Sequence, residues 1–424
     1  MFRRQEKRGG KSFQLRLSKL GGLFKLIREK VISNAKGGIV ADLSWVWAVL
    51  VFFVGSMDSL SRADSTNSLP PQVPVTDIRF GVIEPPVVAQ QDITVFANTS
   101  ILSSELKPLE CSGMAWVDGC LLLSSDRHGH RIFSCAVDLD TMTIGKPQPH
   151  IVIHNEQQLL NDAESIAIRE KSGGGYFVYV MCSLSNDRAG PLPARRHIMR
   201  LSLEQANPFT CGRGIVIDAG WIRDILNEHF QDMNVEPYRT YYADFPGTDK
   251  NTYRWGNVEG IAFTPQNKGL LCGMRNPLYK QKALLFVVRG VEDAFDRQNH
   301  KRLEVTDLFA VDLGERGVSD IIWDPLTRGY LIAAAKSNGP KLDEDQPFPP
   351  NTLDSALFWW SGRKNESPIL FAKAPDMKIE AICRLGSSRF IAIGSDEGDV
   401  SEGREQRQSV LTILDFRGIT TGRE

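Results

Sequence analysis

No CxxC pair and no Cys/His cluster at ligand spacing occurs in this sequence, which excludes the structural zinc sites that such patterns mark. There is no GxSxG nucleophile elbow and no Walker-type phosphate loop, so two common routes to hydrolysis and nucleotide binding are missing. Net charge is nearly absent as well. The formal balance is -1, which leaves no global bias toward nucleic acid. The 7 cysteines are odd in number and sit in apolar runs such as YFVYVMC, so buried free thiols are expected and no disulfides.

What is present is core material. The 424 residues are 42% hydrophobic, enough for one large all-β domain or two ordinary domains. Charge is uneven at the start. Residues 1–37 hold eleven Lys or Arg and only two acids, Glu6 and Glu29. The apolar run LSWVWAVLVFFV (43–54) follows, then a small-x-small site at Ser61-Arg62-Ala63. This order predicts an export signal. A cleaved signal, an uncleaved anchor with its basic side in the cytoplasm, and a buried core helix all fit the run. The polar flank offers no partner layer for the last of these. The division is then 1–63 signal peptide or signal anchor, 64–90 linker and 91–418 folded domain. Either export reading makes the domain secreted or periplasmic, with membrane contact only through an uncleaved segment.

A short motif recurs five times in that domain: ECSGMAW (110–116), DAESIAI (162–168), NVEGIAF (257–263), GVSDIIW (317–323) and KIEAICR (378–384). Its third residue is Ser112, Glu164, Glu259, Ser319 and Glu380 in turn. Each copy is followed by a turn and a second apolar run, then a third, and in four cases a fourth: HIVIH (150–154), GIVID (214–218), VTDLFAV (305–311) and PILFA (368–372). Four strands repeated at such intervals predict an all-β, five-bladed β-propeller. The last repeat lacks a fourth strand, and ITVFAN (93–98) is spare, so that segment is expected to close the ring. The long interval between the second and third motifs contains WIRDILNEHF (221–230), apolar at helical spacing. It reads as an inserted helix lying over the mouth of the ring; a sixth blade is the alternative.

In a propeller the first strand of each blade lines the channel. The five third positions therefore form a ring, and its three glutamates would repel one another unless they hold protons or share a cation. A hard divalent ion such as calcium, with six to eight oxygen ligands, suits Ser112, Glu164, Glu259, Ser319 and Glu380. A wet channel of hydrogen-bonded acids is the plainer alternative. The ends of the second strands are polar and share the same face. Asp126, Arg127, Arg275, Lys336 and Asp396 are the candidates there, with the three cations suited to a phosphate and the two acids to a general base. His128 and His130 alternate and could share a metal, although a solvated loop is the simpler reading.

The Ser, Glu, Glu, Ser, Glu order resembles the five-bladed calcium-activated apyrase nucleotidases, as do SSDRHG (124–129) and GVSDIIWDPLTRGYLIAAAKSNG (317–339). DAESIAI and NVEGIAFTPQNKGLLCGMRNPL are similar to the phytase-like (esterase-like) propeller domain and to a related bacterial propeller family of unassigned function. The resemblance spans roughly residues 90–416. It implies a bound calcium and a monomeric phosphohydrolase acting on a small anionic phosphate ester or anhydride, without nucleic acid. A non-catalytic propeller with structural calcium, binding a sugar, peptide or protein, is the other expectation.

Overall fold

The chain divides into two units, Met1–Pro74 and Val75–Glu424. The computed structural model describes residues 85–93, 95–185, 193–223, 225–226, 258–265, 268–335, 354–374, 377–396 and 409–416. The expected export signal lies outside them. No helix among the described residues is long and apolar enough to cross a membrane.

Five antiparallel blades follow one another along the chain. Blade 1 runs Cys111–Val117, Cys120–Ser125, Arg131–Asp138 and Gln148–Ile151, and blade 2 runs Ala163–Glu170, Tyr176–Cys182, His197–Ala206 and Ile215–Asp218. Blade 3 is Val258–Phe263, Leu270–Tyr279, Lys282–Arg289 and Glu304–Val311. Blade 4 is Gly317–Asp324, Gly329–Ala335, Ser355–Trp360 and Ile369–Ala374. Blade 5 holds Ile379–Arg384, Phe390–Asp396 and Ser409–Asp415. Among the described residues the count is five and not six.

The core lies between blades. Each of five apolar clusters joins two neighbours: Leu122 with Val178, Tyr179 with Ile261, Leu271 with Ile332, Leu331 with Ile391, and Leu411 with Leu121. Inner strands are thus covered on both faces, which is why they read as apolar runs and not as alternation. Every residue of Cys120–Ser125 is buried, whereas the outer strand Gln148–Ile151 is largely exposed. Turn chemistry sets the register. Asp118 and Gly119 both have positive φ (45° and 83°), the type I′ signature of a two-residue hairpin between Val117 and Cys120.

Ring closure differs from the expectation at 93–98. The strand that completes blade 5 is Val87–Ile93, paired antiparallel with Ser409–Asp415 from Val87↔Leu414 to Ile93↔Ser409. The propeller therefore starts before residue 91, inside the segment read as linker. Phe96–Asn98 pairs instead with Leu106–Pro108. The reason is burial. An outermost strand keeps one face in water, so VVAQQDI, exposed at Val87, Val88, Gln90 and Asp92, suits the edge, while Val95 and Ala97 are needed in the cluster between blades 5 and 1. Deleting residues 85–93 should bare the outer edge of Ser409–Asp415, and light scattering should then show aggregation of a protein that is otherwise monodisperse.

Residues 220–223 and 225–226 are helical, and Ile222 and Leu226 are buried between blades 2 and 3. The remainder of the expected helix, and its place over the mouth, lies outside the described residues. A second short helix, Val291–Asp296, buries Val291, Ala294 and Phe295 in the same cluster.

Candidate functional site

One backbone irregularity is shared by all five blades. Where the first strand pairs with the second, the register slips between Cys111 and Gly113, opposite Ala163 and Ser165, between Val258 and Gly260, between Val318 and Asp320, and between Ile379 and Ala381. The residue passed over is Ser112, Glu164, Glu259, Ser319 or Glu380. Each repeat thus places its key residue on a β-bulge, the device that bends a strand and re-aims one side chain. This is how a glutamate sits inside VEGIAF without joining the apolar packing: Val258 and Ile261 are buried between blades, while Glu259 turns inward. The next residue is small in four copies (Gly113, Ser165, Gly260 and Ala381), because neighbouring first strands nearly touch there; in blade 4 it is Asp320, whose carboxylate accepts from the Ile382 nitrogen of blade 5 at 2.8 Å. A Cβ on Gly113 would lie 2.7 Å from the Cα of Ser165, and one on Gly260 would lie 2.8 Å from the nitrogen of Ile321.

The inward side chains border a cavity of about 190 Å³ lined by Ser112, Glu164, Glu259 and Glu380, together with Glu110, Asp126, Arg275 and Lys378. Its two sides differ in charge. On the side of blades 3 to 5, Arg275 pairs with Glu259 at 2.7 Å, donates to both oxygens of Glu380 and donates to Ser319 Oγ at 2.9 Å. Lys378 adds a second cation 2.7 Å from Glu380. Burial would raise the Glu380 carboxyl, but Arg275 and Lys378 outweigh it and hold the group below the usual carboxylate range. Glu259 is pushed up to about 8, mainly by burial and against the pull of Arg275.

The side of blades 1 and 2 is compensated less fully: Arg127 Nε lies 3.8 Å from Asp126 as well as beside Glu110, and no cation pairs with Glu164 among the described residues. Glu164 makes no hydrogen bond or ion pair with the described residues, and its carboxyl is raised well above normal by burial, then by Asp162, Glu259 and Asp126. Asp126 is raised by burial and by Glu110, with Arg127 opposing, and its Oδ1 is buried without a partner. Arg127 Nε lies 2.9 Å from Glu110, and the Arg127 side chain is partly open to solvent. Asp162 pairs with Arg195 at 3.2 Å.

Of the residues expected from sequence, Ser112, Glu164, Glu259, Glu380, Asp126 and Arg275 meet at the cavity, Ser319 is tied to it through Arg275, and Arg127 stands at its edge beside Glu110. Ser112 Oγ donates across to the Ala163 carbonyl of the next blade. Arg275 was expected to be a free phosphate ligand; its guanidinium is instead buried among glutamates. Lys336 lies outside the described residues, and Asp396 is described only by its backbone, at the end of Phe390–Asp396. Glu110, Asp162 and Lys378 were missed. Each stands two residues before the key position of its repeat, so the same periodicity marked them.

Apart from Cys111, the donors that line the side of blades 1 and 2 are oxygens, which fits a hard cation such as calcium in kind. They do not converge: among the described residues no three His, Cys, Asp or Glu are arranged to hold a metal ion.

His128 and His130 are fully buried, against the expectation of a solvated loop. His128 contacts Ser125 Oγ at 3.0 Å and the carbonyls of Ala97 and Lys107 at 3.2 Å, which ties blade 1 to the Phe96–Pro108 hairpin. Both ring nitrogens of His130 lack partners, and burial, then Arg131, lowers it to about 4. A histidine that resists protonation when folded adds stability that is full above its unfolded pKa of about 6.5 and lost as pH falls toward 4. Urea midpoints should drop through that window in the wild type, and the slope should flatten in His130→Phe.

No protein-family model matches the chain, and none of the curated proteins does. Solved structures that resemble the chain weakly include U3-55K, at 9% identity and TM-score 0.35, covering 78% of this chain and 100% of that one. A luciferin-regenerating enzyme matches at 8% identity and TM-score 0.31 over 73% of this chain and 80% of its own. An exo-beta-1,3-galactanase from Phanerochaete chrysosporium matches at 9% identity and TM-score 0.39 over 77% and 65%. At such identities and TM-scores what these proteins are or bind says nothing about this chain.

Proposed function

We propose that this chain is a calcium-binding propeller that hydrolyses a phosphate ester or anhydride at the mouth of its axial cavity. The observation that supports it is the unbalanced charge: Glu110, Asp126 and Glu164 crowd one side of the cavity with Arg127 as their cation, while Arg275 and Lys378 are spent on the other. A calcium ion would need Glu164 and Asp126, with Glu110 and Ser112, to close around it, because no three acids among the described residues stand arranged to hold a metal. Calcium, when bound, would relieve the repulsion among these acids and draw charge from phosphoryl oxygens. The other roles belong to side chains. Arg127, partly open at the rim, would hold the phosphoryl group. Asp126, whose Oδ1 is left without a hydrogen-bond partner, would accept the proton of the attacking water. Arg275 touches no substrate in this reading and positions Glu259 and Glu380.

Phosphate release from nucleotides, inositol phosphates and aryl phosphates, with calcium and with chelator, tests the reaction. Release from at least one class, lost on chelation and in Asp126→Asn, is the expected outcome. The pairing of Glu259 and Glu380 with Arg275 favours a second reading, because that half of the tunnel stands without an ion. There the propeller is non-catalytic and holds a sugar, peptide or protein. Silence across the whole panel would leave that reading in place of hydrolysis. With the amino-terminal segment taken as an export signal, either activity is exerted outside the cytoplasm, in the periplasm or as a secreted protein, by a monomer.

A further inference from the structure

The far end of the first strands opens into a second, larger space. It measures about 570 Å³, within the range of small-molecule sites, and all five blades contribute to its wall. Its lining is unlike that of the charged cavity. Trp116, Tyr176, Phe263 and Trp323 stand around it over a floor of aliphatic side chains. Trp323 is braced edge-on against Tyr330 at 5.1 Å, so this part of the wall is fixed.

The polar groups there are few and of one sign. Asp118 and Glu170 are exposed at the rim, with Asp118 accepting from the Tyr176 hydroxyl at 2.9 Å. The cation that reaches the wall, Arg384, is committed: it donates to both oxygens of Asp324 at 3.1 and 2.6 Å and lies against the Phe416 ring. The Thr264 hydroxyl is turned to the Gly269 carbonyl at 3.2 Å. A carboxylate or phosphate would find no free positive partner among the described residues, and a sugar would find few donors. An apolar body would be covered, and a positive head would meet two carboxylates and aromatic faces.

We propose that this opening is a binding site for a small amphiphilic cation, an aromatic or alkyl group carrying an ammonium. The proposal is independent of the calcium site and of any hydrolysis. Benzyltrimethylammonium and phenylacetate, titrated separately and followed by calorimetry, test it. The ammonium should bind with a dissociation constant about tenfold or more below that of the acid, a difference of ~1.4 kcal/mol. Glu170→Gln should narrow that preference without changing the melting temperature, since the side chain is exposed. Ile168→Trp, which fills the half-buried wall, should abolish binding. Absence of binding at millimolar ammonium, equal binding of the two probes, or ammonium binding that survives Ile168→Trp (as it would in the axial cavity) overturns the assignment.

Discussion

Replacing Arg275 with methionine is expected to destabilise the propeller by about 3–5 kcal/mol, the usual cost of removing one partner from a buried ion pair. Methionine keeps much of the volume and removes the charge. Glu259 and Glu380 then face each other with Lys378 as the remaining cation, beside Glu380. Protonation offers an escape, so the deficit should depend on pH. In the wild type the depressed Glu380 carboxyl contributes stability that is present above its unfolded pKa and lost as pH falls through its lower folded value. The gap between wild type and variant should therefore narrow in acid. Adding Glu259→Gln and Glu380→Gln to the variant should recover much of the loss. Urea unfolding at several pH values measures all three; a deficit under 1 kcal/mol at neutral pH would mean that the guanidinium is not the axial counter-charge.

The second large effect is expected at the seam between blades 4 and 5. Asp324 ends the first strand of blade 4 and Arg384 ends that of blade 5; they are 0% and 5% exposed. Besides its two bonds from Arg384, Asp324 accepts from the Leu326 nitrogen at 3.2 Å and from Thr327 Oγ1 at 2.7 Å, and Thr327 in turn accepts from Trp359 Nε1 at 3.0 Å. Asp324→Ala strips the turn of its acceptor and leaves a buried guanidinium, at a cost of about 3–5 kcal/mol. The double variant Asp324→Leu, Arg384→Met should be considerably more stable than the single one, because no charge is then stranded. Equal stability of the single and double variants would show that the turn, and not the ion pair, carries the effect.

Much of this was legible because the key residues break an apolar pattern at a fixed place in each repeat. Ser112, Glu164, Glu259, Ser319 and Glu380 are conspicuous in sequence for the same reason that they are useful in the fold: a bulge lifts each out of the packing. Three features were not legible. The closing strand is an edge whose mixed sequence, VVAQQDI, shows neither an apolar run nor a strict alternation, so it looks like linker. Arg275 lies in a long second strand whose register slips between Gly273 and Leu278, and no local pattern tells that its side chain crosses to the glutamates of two blades. The apolar opening takes residues from 114 to 386, and only ring closure brings them together.

The central claim is that the axial cavity has a deficit of positive charge on the side of Glu164 and Asp126. Calorimetric titration of calcium into chelator-treated wild type and Glu164→Gln tests it most directly. The expected result is a single saturable site in the wild type, weakened about tenfold or more (~1.4 kcal/mol) by the substitution with the fold retained. No heat of binding in the wild type, with melting unchanged by calcium or chelator, would contradict it and leave a propeller whose axial charge is already settled by Arg275 and Lys378.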